Sequence, residues 1–150
     1  MADAPPDERA EFRFVMHSRV ELTDTDLGGI VYYGRYSHFV DRGVLAYRRH
    51  LDIPPLGPPG HQFVVRALHV EYLGAARFDE VLGIWVRTRE VGRTSHTMQV
   101  EVTHHDPGAP TRTLARATVT LVGIAAYDDP RPTRVPADLA ETLRAFEGLA

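Results

Sequence analysis

The sequence predicts an α+β domain in which a curved antiparallel sheet of about five strands wraps one long central helix. Three observations predict it. One apolar stripe repeats at helical spacing over Gly34 to Leu51. The stretch from Gln62 to Tyr127 reads instead as strands, with period-two alternation. The turns between those strands are short, which favours antiparallel neighbours. At 150 residues the chain is expected to form a single domain, residues 1–150.

The opening, MADAPPDERAEF, has no cationic segment ahead of an apolar one. It is read as a flexible tail over residues 1–11 and not as a signal peptide. Phe12 to Leu22 alternates well enough for a first strand, and an aspartate–glycine segment then breaks it. Tyr36, Phe39, Val40, Gly43, Val44, Tyr47 and Leu51 fall on one helical face. Arg35, His38, Asp41, Arg42, Arg48 and Arg49 lie mostly off it. A helix over Gly34 to Leu51 is about 27 Å long at ~1.5 Å per residue. Asp52 to Gly60, DIPPLGPPG, ends it in a loop, because proline cannot continue a helix.

Four strands follow. QFVVRALHVEYLGAA carries Val64, Leu68, Val70 and Tyr72 as apolar markers, and DEVLGIWVRTREV comes next. TSHTMQVEVTHH sets Met98, Val100 and Val102 against Gln99, Glu101 and Thr103. HDPGAP is a turn, and TRTLARATVTLVGIAAY puts Ala115, Ala117, Val119 and Leu121 on one face. VPADLAETLRAFEGLA reads as a short C-terminal helix beginning at Ala137. Strands longer than usual make the sheet curl, and its edges then need a partner.

Net charge is −3, which offers no broad electrostatic footprint for nucleic acid. No apolar run reaches the ~18 residues of a membrane span. The absence of cysteine excludes disulfides, thiol catalysis and thiolate metal sites. A cytoplasmic protein is expected by default.

The chemistry concentrates in Thr23 to Asp41, TDTDLGGIVYYGRYSHFVD. Asp24 and Asp26 can be turn residues, since aspartate bonds to nearby backbone and glycine accepts positive φ. A calcium loop is excluded by Gly28 and Arg35 at ligand positions. An aspartyl phosphotransfer motif would expect alternating strand–helix units and a later lysine, and the chain has no lysine. A third reading uses the helix start, whose unpaired N–H groups polarise a carbonyl and stabilise an oxyanion. A carboxylate beside it could attack that carbonyl or take a proton from water.

These residues are similar to the signature of the 4-hydroxybenzoyl-CoA thioesterase family of hotdog-fold proteins. The match runs through TDTDLGGIVYYGRYSHFVDRG, FVVRALHVEYLGAARFDEVLGIWV, VGRTSHTMQVEV and VPADL. The resemblance implies a hotdog fold and an acyl-CoA thioesterase hydrolysing a thioester to free acid and thiol. It makes Asp26 the nucleophile or general base and gives Tyr33 the oxyanion hole through its backbone N–H. It gives Gly29 and Val31 a place against the substrate, with Gly29 leaving room for the thioester. Asp24 would organise the loop. Arg93, Thr94 and Ser95 would lie near the coenzyme A nucleotide, where a guanidinium suits phosphate; Arg89 is a weaker candidate there. The resemblance implies no metal and no bound cofactor, and a homodimer or homotetramer with the pocket lined by both subunits. The substrate carrier is coenzyme A or an acyl carrier protein. A non-catalytic acyl-thioester-binding hotdog module and a hotdog dehydratase are the alternatives.

Other polar residues read more simply. Arg66 is taken as structural, paired with an acid such as Glu71, over a place in the acyl pocket. Asp41 is read as structural or as supporting the site. His104, His105 and Asp106 read as a solvated turn and not a metal site, and His17, His38, His69 and His96 share no ligand spacing. Tyr32, Tyr36 and Phe39 are read as core or pocket wall.

Overall fold

A computed structural model describes residues 9–150. The elements are β1 (Val15–Arg19), α1 (Tyr36–His50), β2 (Gln62–Tyr72), β3 (Val81–Val91), β4 (Ser95–His104), β5 (Arg112–Ala126), β6 (Asp129–Pro132) and α2 (Ala137–Glu147). Short 3-10 turns at Leu22–Asp24 and Tyr33–Arg35 link β1 to α1. The antiparallel sheet runs β1-β3-β4-β5-β2, and β6 pairs with the end of β5. One long helix packed on a curled antiparallel sheet is the α+β hotdog arrangement expected from the sequence.

α1 turns the expected stripe inward. Tyr36, Phe39, Val40, Gly43, Val44 and Tyr47 are buried against Leu82, Ile84, Val86, Met98 and Val100 of β3 and β4. Gly43 is where the helix comes closest to the sheet. A Cβ built there would lie 2.5 Å from Ile84 Cγ2 and 3.0 Å from Val86 Cγ2. The C-terminal helix α2 closes the other end of the core. Glu147 accepts from Tyr47 Oη at 2.6 Å and from Thr88 N–H at 2.9 Å.

Four expectations shift. Arg48 is buried and not off the packed face. The first strand is only Val15–Arg19, because the chain turns at Leu22, where Glu21 and Asp24 cap each other. β6 is an added strand; its two prolines argue against ladder pairing, and it survives only at an edge. Residues 1–8 of the expected tail lie outside the described residues, but 9–11 are held. Arg9 bonds to Thr113 Oγ1 at 3.2 Å and Glu11 pairs with Arg87 at 2.5 Å.

β2 is an outer strand, and it breaks phase in the middle. Val65 faces Leu121 and Ala67 faces Thr120, so Arg66 is the extra residue of a β-bulge. Phe63 and Val65 are followed on the cavity side by Leu68, one place out of step. Arg66 is exposed and makes no ion pair with Glu71.

Candidate active site

Between β1 and α1 the chain makes a tight excursion. Thr25 pairs with Val31 and Ile30 with Arg77. Asp26 N–H donates to Ile30 O and Tyr32 N–H to Asp24 O, each at 3.0 Å. At the tip, Gly29 adopts φ +76° and donates to Asp26 O at 3.1 Å. A left-handed residue closes this turn, and glycine takes that conformation without strain. The chain therefore doubles back and starts its helix alongside the two aspartates.

The two carboxylates have opposite surroundings. Asp24 is 2% exposed. Its Oδ1 accepts from Arg35 Nε and its Oδ2 from Glu21 N–H, both at 2.8 Å. Burial pushes its carboxyl up, but the Arg35 guanidinium and the Glu21 N–H outweigh burial and hold it below the usual range. Asp24 is spent on tying the loop to the start of the helix. Asp26 is exposed. Its Oδ1 accepts from Gly28 N–H at 2.7 Å, an aspartate turn that orients the carboxylate and leaves Oδ2 without a partner among the described residues. A Cβ at residue 28 would meet Oδ1 at 3.1 Å, so glycine permits this close approach.

Tyr33 opens the 3-10 turn that runs into α1. The first N–H groups of such a turn have no partner inside it, so those of Tyr33 and Gly34 are the donors at the helix mouth. Tyr33 is 66% exposed, and its carbonyl accepts from Tyr72 Oη at 2.9 Å. Val31 lies in the core, its N–H on Ala76 O at 2.8 Å, and anchors the loop from beneath.

Arg93, Thr94 and Ser95 are not brought to this loop within one chain. They sit in the β3–β4 hairpin, closed by Gly92 N–H on Ser95 O at 2.7 Å. The aspartate loop packs beside Ala76 and Arg77, just before β3 begins. β3 has 11 residues, which at ~3.3 Å per residue places about 35 Å of strand between the two groups. Arg93 instead borders a broad groove of about 1030 Å³ together with Arg134 and Arg144. Arg89 lies at the same end of β3, before the hairpin.

A second cavity, about 450 Å³, runs along α1 from Ser37 to Arg48, with Phe63, Leu68 and Leu121 of the sheet opposite. Asp41 and His38 stand at its exposed side. Arg48 is the residue that reading by charge assigned to solvent. It is 7% exposed, stacks over the Phe63 ring at 4.3 Å and donates through Nη1 to Pro55 O at 2.6 Å. Its Nε has no acceptor. Burial pushes the guanidinium down to about 10, with Asp41 acting the other way. Behind Phe63 stand His61 and His96, also buried, each with one ring nitrogen unpaired. Three other histidines are engaged elsewhere. His104 reaches Glu80 at 2.5 Å, and the His105 ring stacks on His17.

The profile of the Thioesterase superfamily matches residues 28–111, more than half of the chain. The chain belongs to the thioesterase superfamily. The matched span of this superfamily takes in Gly29, Tyr33 and the Arg93 hairpin and begins two residues after Asp26. Among curated proteins the chain is similar to the acyl-CoA thioesterase YbgC of Haemophilus influenzae, 38% identical over 49% of this chain and 56% of that one. It is also similar to the acyl-CoA thioester hydrolase YbgC of Escherichia coli, 35% identical over 51% of this chain and 59% of that one. The chain thus spans a little over half the length of these curated relatives. A 4-hydroxybenzoyl-CoA thioesterase variant solved with 4-hydroxybenzoyl-CoA superimposes with a TM-score of 0.79 at 25% identity, over 87% of this chain and 97% of that one. A Thermus thermophilus thioesterase solved with coenzyme A and zinc gives 0.78 at 25% identity, over 94% and 99%.

Proposed function

We propose that this protein is an acyl-CoA thioesterase with Asp26 as its catalytic carboxylate. The observation that carries the reading is the contrast between the aspartates. Asp24 is buried and doubly bonded, while Asp26 is exposed in the loop that leads into the helix, held by one oxygen on Gly28 N–H, its other oxygen without a partner among the described residues. The thioester oxygen points at the N–H groups of Tyr33 and Gly34, which stabilise the oxyanion as it forms. As general base, Asp26 takes a proton from water while the hydroxide adds to the carbonyl carbon. The tetrahedral intermediate then collapses, the carbon–sulfur bond breaks, and the thiolate leaves and is protonated. As nucleophile, Asp26 attacks the carbonyl carbon, the carbon–sulfur bond breaks and the thiolate leaves and is protonated; water then opens the mixed anhydride to the free acid and the Asp26 carboxylate. The superfamily membership and the named activities of the relatives support the reaction class.

The site is completed by a second copy of the chain. β2 is an uncovered edge with Val65, Leu68 and Tyr72 exposed. Such an edge is a template for pairing. β2 begins beside the Arg93 hairpin, since Phe63 and Thr94 both bond to the β5 stretch around Gly123. It ends at Tyr72, beside Tyr33. Antiparallel pairing of two β2 edges therefore sets the hairpin of one protomer beside the aspartate loop of the other. Arg93, with Arg134 nearby, then meets the phosphates of coenzyme A. The solved relatives bound to coenzyme A or its thioester favour that carrier over an acyl carrier protein.

Thiol release from a panel of acyl-CoAs, read with a chromogenic thiol reagent, tests the activity, and the cysteine-free chain gives no background. Asp26→Asn should cut turnover about 10²- to 10⁴-fold, the contribution of one positioned acid–base group. Full activity in that variant would overturn the mechanism.

A further inference from the structure

We propose that the cavity along α1 receives an acyl group ending in a carboxylate, which Arg48 binds at the end away from the helix N-terminus. The proposal rests on the thioesterase reading and names its substrate class. The cavity begins at Ser37, in the first turn of the helix whose N-terminus holds the reacting carbonyl, and ends at Arg48. That is about 16 Å along the axis at ~1.5 Å per residue. Its volume of about 450 Å³ lies within the ~300–1,000 Å³ of sites for small organic ligands. Most of the wall is apolar, supplied by Val40, Val44, Leu45, Phe63, Leu68 and Leu121.

Arg48 does not fit an all-apolar tail. It alone among the lining residues carries a permanent positive charge. It is buried, its Nε has no acceptor among the described residues, and none of the ion pairs among those residues includes it. Pro55 O satisfies one hydrogen but neutralises nothing. Asp41, two turns earlier on the same side of α1 and about 10 Å along the axis, lines the same cavity and favours the Arg48 charge, but only from an exposed position and without an ion pair, so the guanidinium keeps room for a carboxylate in direct contact. A buried charge without a partner is costly. A carboxylate arriving at the end of an acyl chain supplies both the missing charge and the missing acceptor, and a guanidinium is shaped to take it. A terminal hydroxyl would supply only the acceptor.

The test compares kcat/KM for acyl-CoAs matched in length: decanoyl-CoA, ω-hydroxydecanoyl-CoA and sebacoyl-CoA, and the shorter pair hexanoyl-CoA and adipoyl-CoA. The wild-type protein should favour a carboxyl-ended substrate over its methyl-ended match. In Arg48→Met the carboxyl-to-methyl ratio should fall about 10- to 100-fold, the effect of losing a hydrogen bond between charged groups. Arg48→Lys should restore part of it. Wild-type kinetics alone decide the matter if Arg48→Met fails to fold. Equal or better use of the methyl-ended or hydroxyl-ended acyl groups would overturn the proposal and leave the thioesterase reading intact. A folded Arg48→Met with an unchanged ratio would do the same. Release of no thiol from any substrate would overturn the thioesterase reading itself.

Discussion

Asp24 and Asp26 stand one residue apart, and exchanging each for asparagine should produce opposite defects. The Asp24 carboxylate takes two donors in a buried position, Arg35 Nε and Glu21 N–H at 2.8 Å each. Asparagine offers only one oxygen, so its NH₂ must face one of those donors. Losing a charge-assisted hydrogen bond costs about 1.5–3 kcal/mol. Arg35 keeps 31% of its side chain exposed and can be rehydrated, which favours the lower part of that range, about 2 kcal/mol. For a chain of this size that lowers Tm by about 4–8 °C. Asp26→Asn keeps the Gly28 bond through its amide oxygen and sits in water, so its stability should stay within about 0.5 kcal/mol of wild type. Thermal unfolding followed by circular dichroism, alongside thiol release well below the transition, separates the two. Asp24→Asn should be less stable yet active while folded; Asp26→Asn should be stable and inactive. The pH dependence adds a check of sign. The folded-state value of Asp24 lies below its unfolded value. Its stabilisation is therefore complete above about pH 4 and is lost as pH falls through the folded value. Wild type and Asp24→Asn should converge in acid. A stable, inactive Asp24→Asn beside an active Asp26→Asn would refute the assignment of roles.

Other outcomes follow from single features of the core and the edge. Burial, aided by Arg48 and His61, pushes His96 down to about 3. The unfolded chain takes up that proton near pH 6.5, so stability should decline from there to about pH 3 by up to ~1.4 kcal/mol per pH unit, and His96→Leu should flatten the slope in urea titrations. Gly43→Ala forces a methyl into Ile84 and Val86 and should cost about 1–3 kcal/mol by the same method. Ala67→Asp places a charge on the exposed β2 edge; sedimentation should show a monomer, and thiol release should fall with it.

Most of the architecture is written locally. The stripe from Tyr36 to Tyr47 and the alternation of Met98, Val100 and Val102 each name the face that the fold buries. The departures come where a distant segment overrides the local pattern. Arg66 hides a change of phase, because a bulge depends on the ladder with β5 and not on β2 alone. β6 exists because the end of β5 is there to pair with, against the preference of its prolines. Arg48 adjoins Val44 and Tyr47 on the helix, but charge marks it for solvent. Burial follows from the proline loop folding back to supply Pro55 O and from β2 bringing the Phe63 ring.

The amino-acid order alone specifies a long amphipathic helix, a sheet curled around it, and two carboxylates with glycines at the helix start. Periodicity and turn chemistry are properties of neighbouring residues, so they survive without coordinates. Which aspartate is buried, how far the Arg93 hairpin stands from it, and that a buried guanidinium lines a cavity were settled by packing. Each depends on segments far apart in sequence meeting, and desolvation has no meaning until they do.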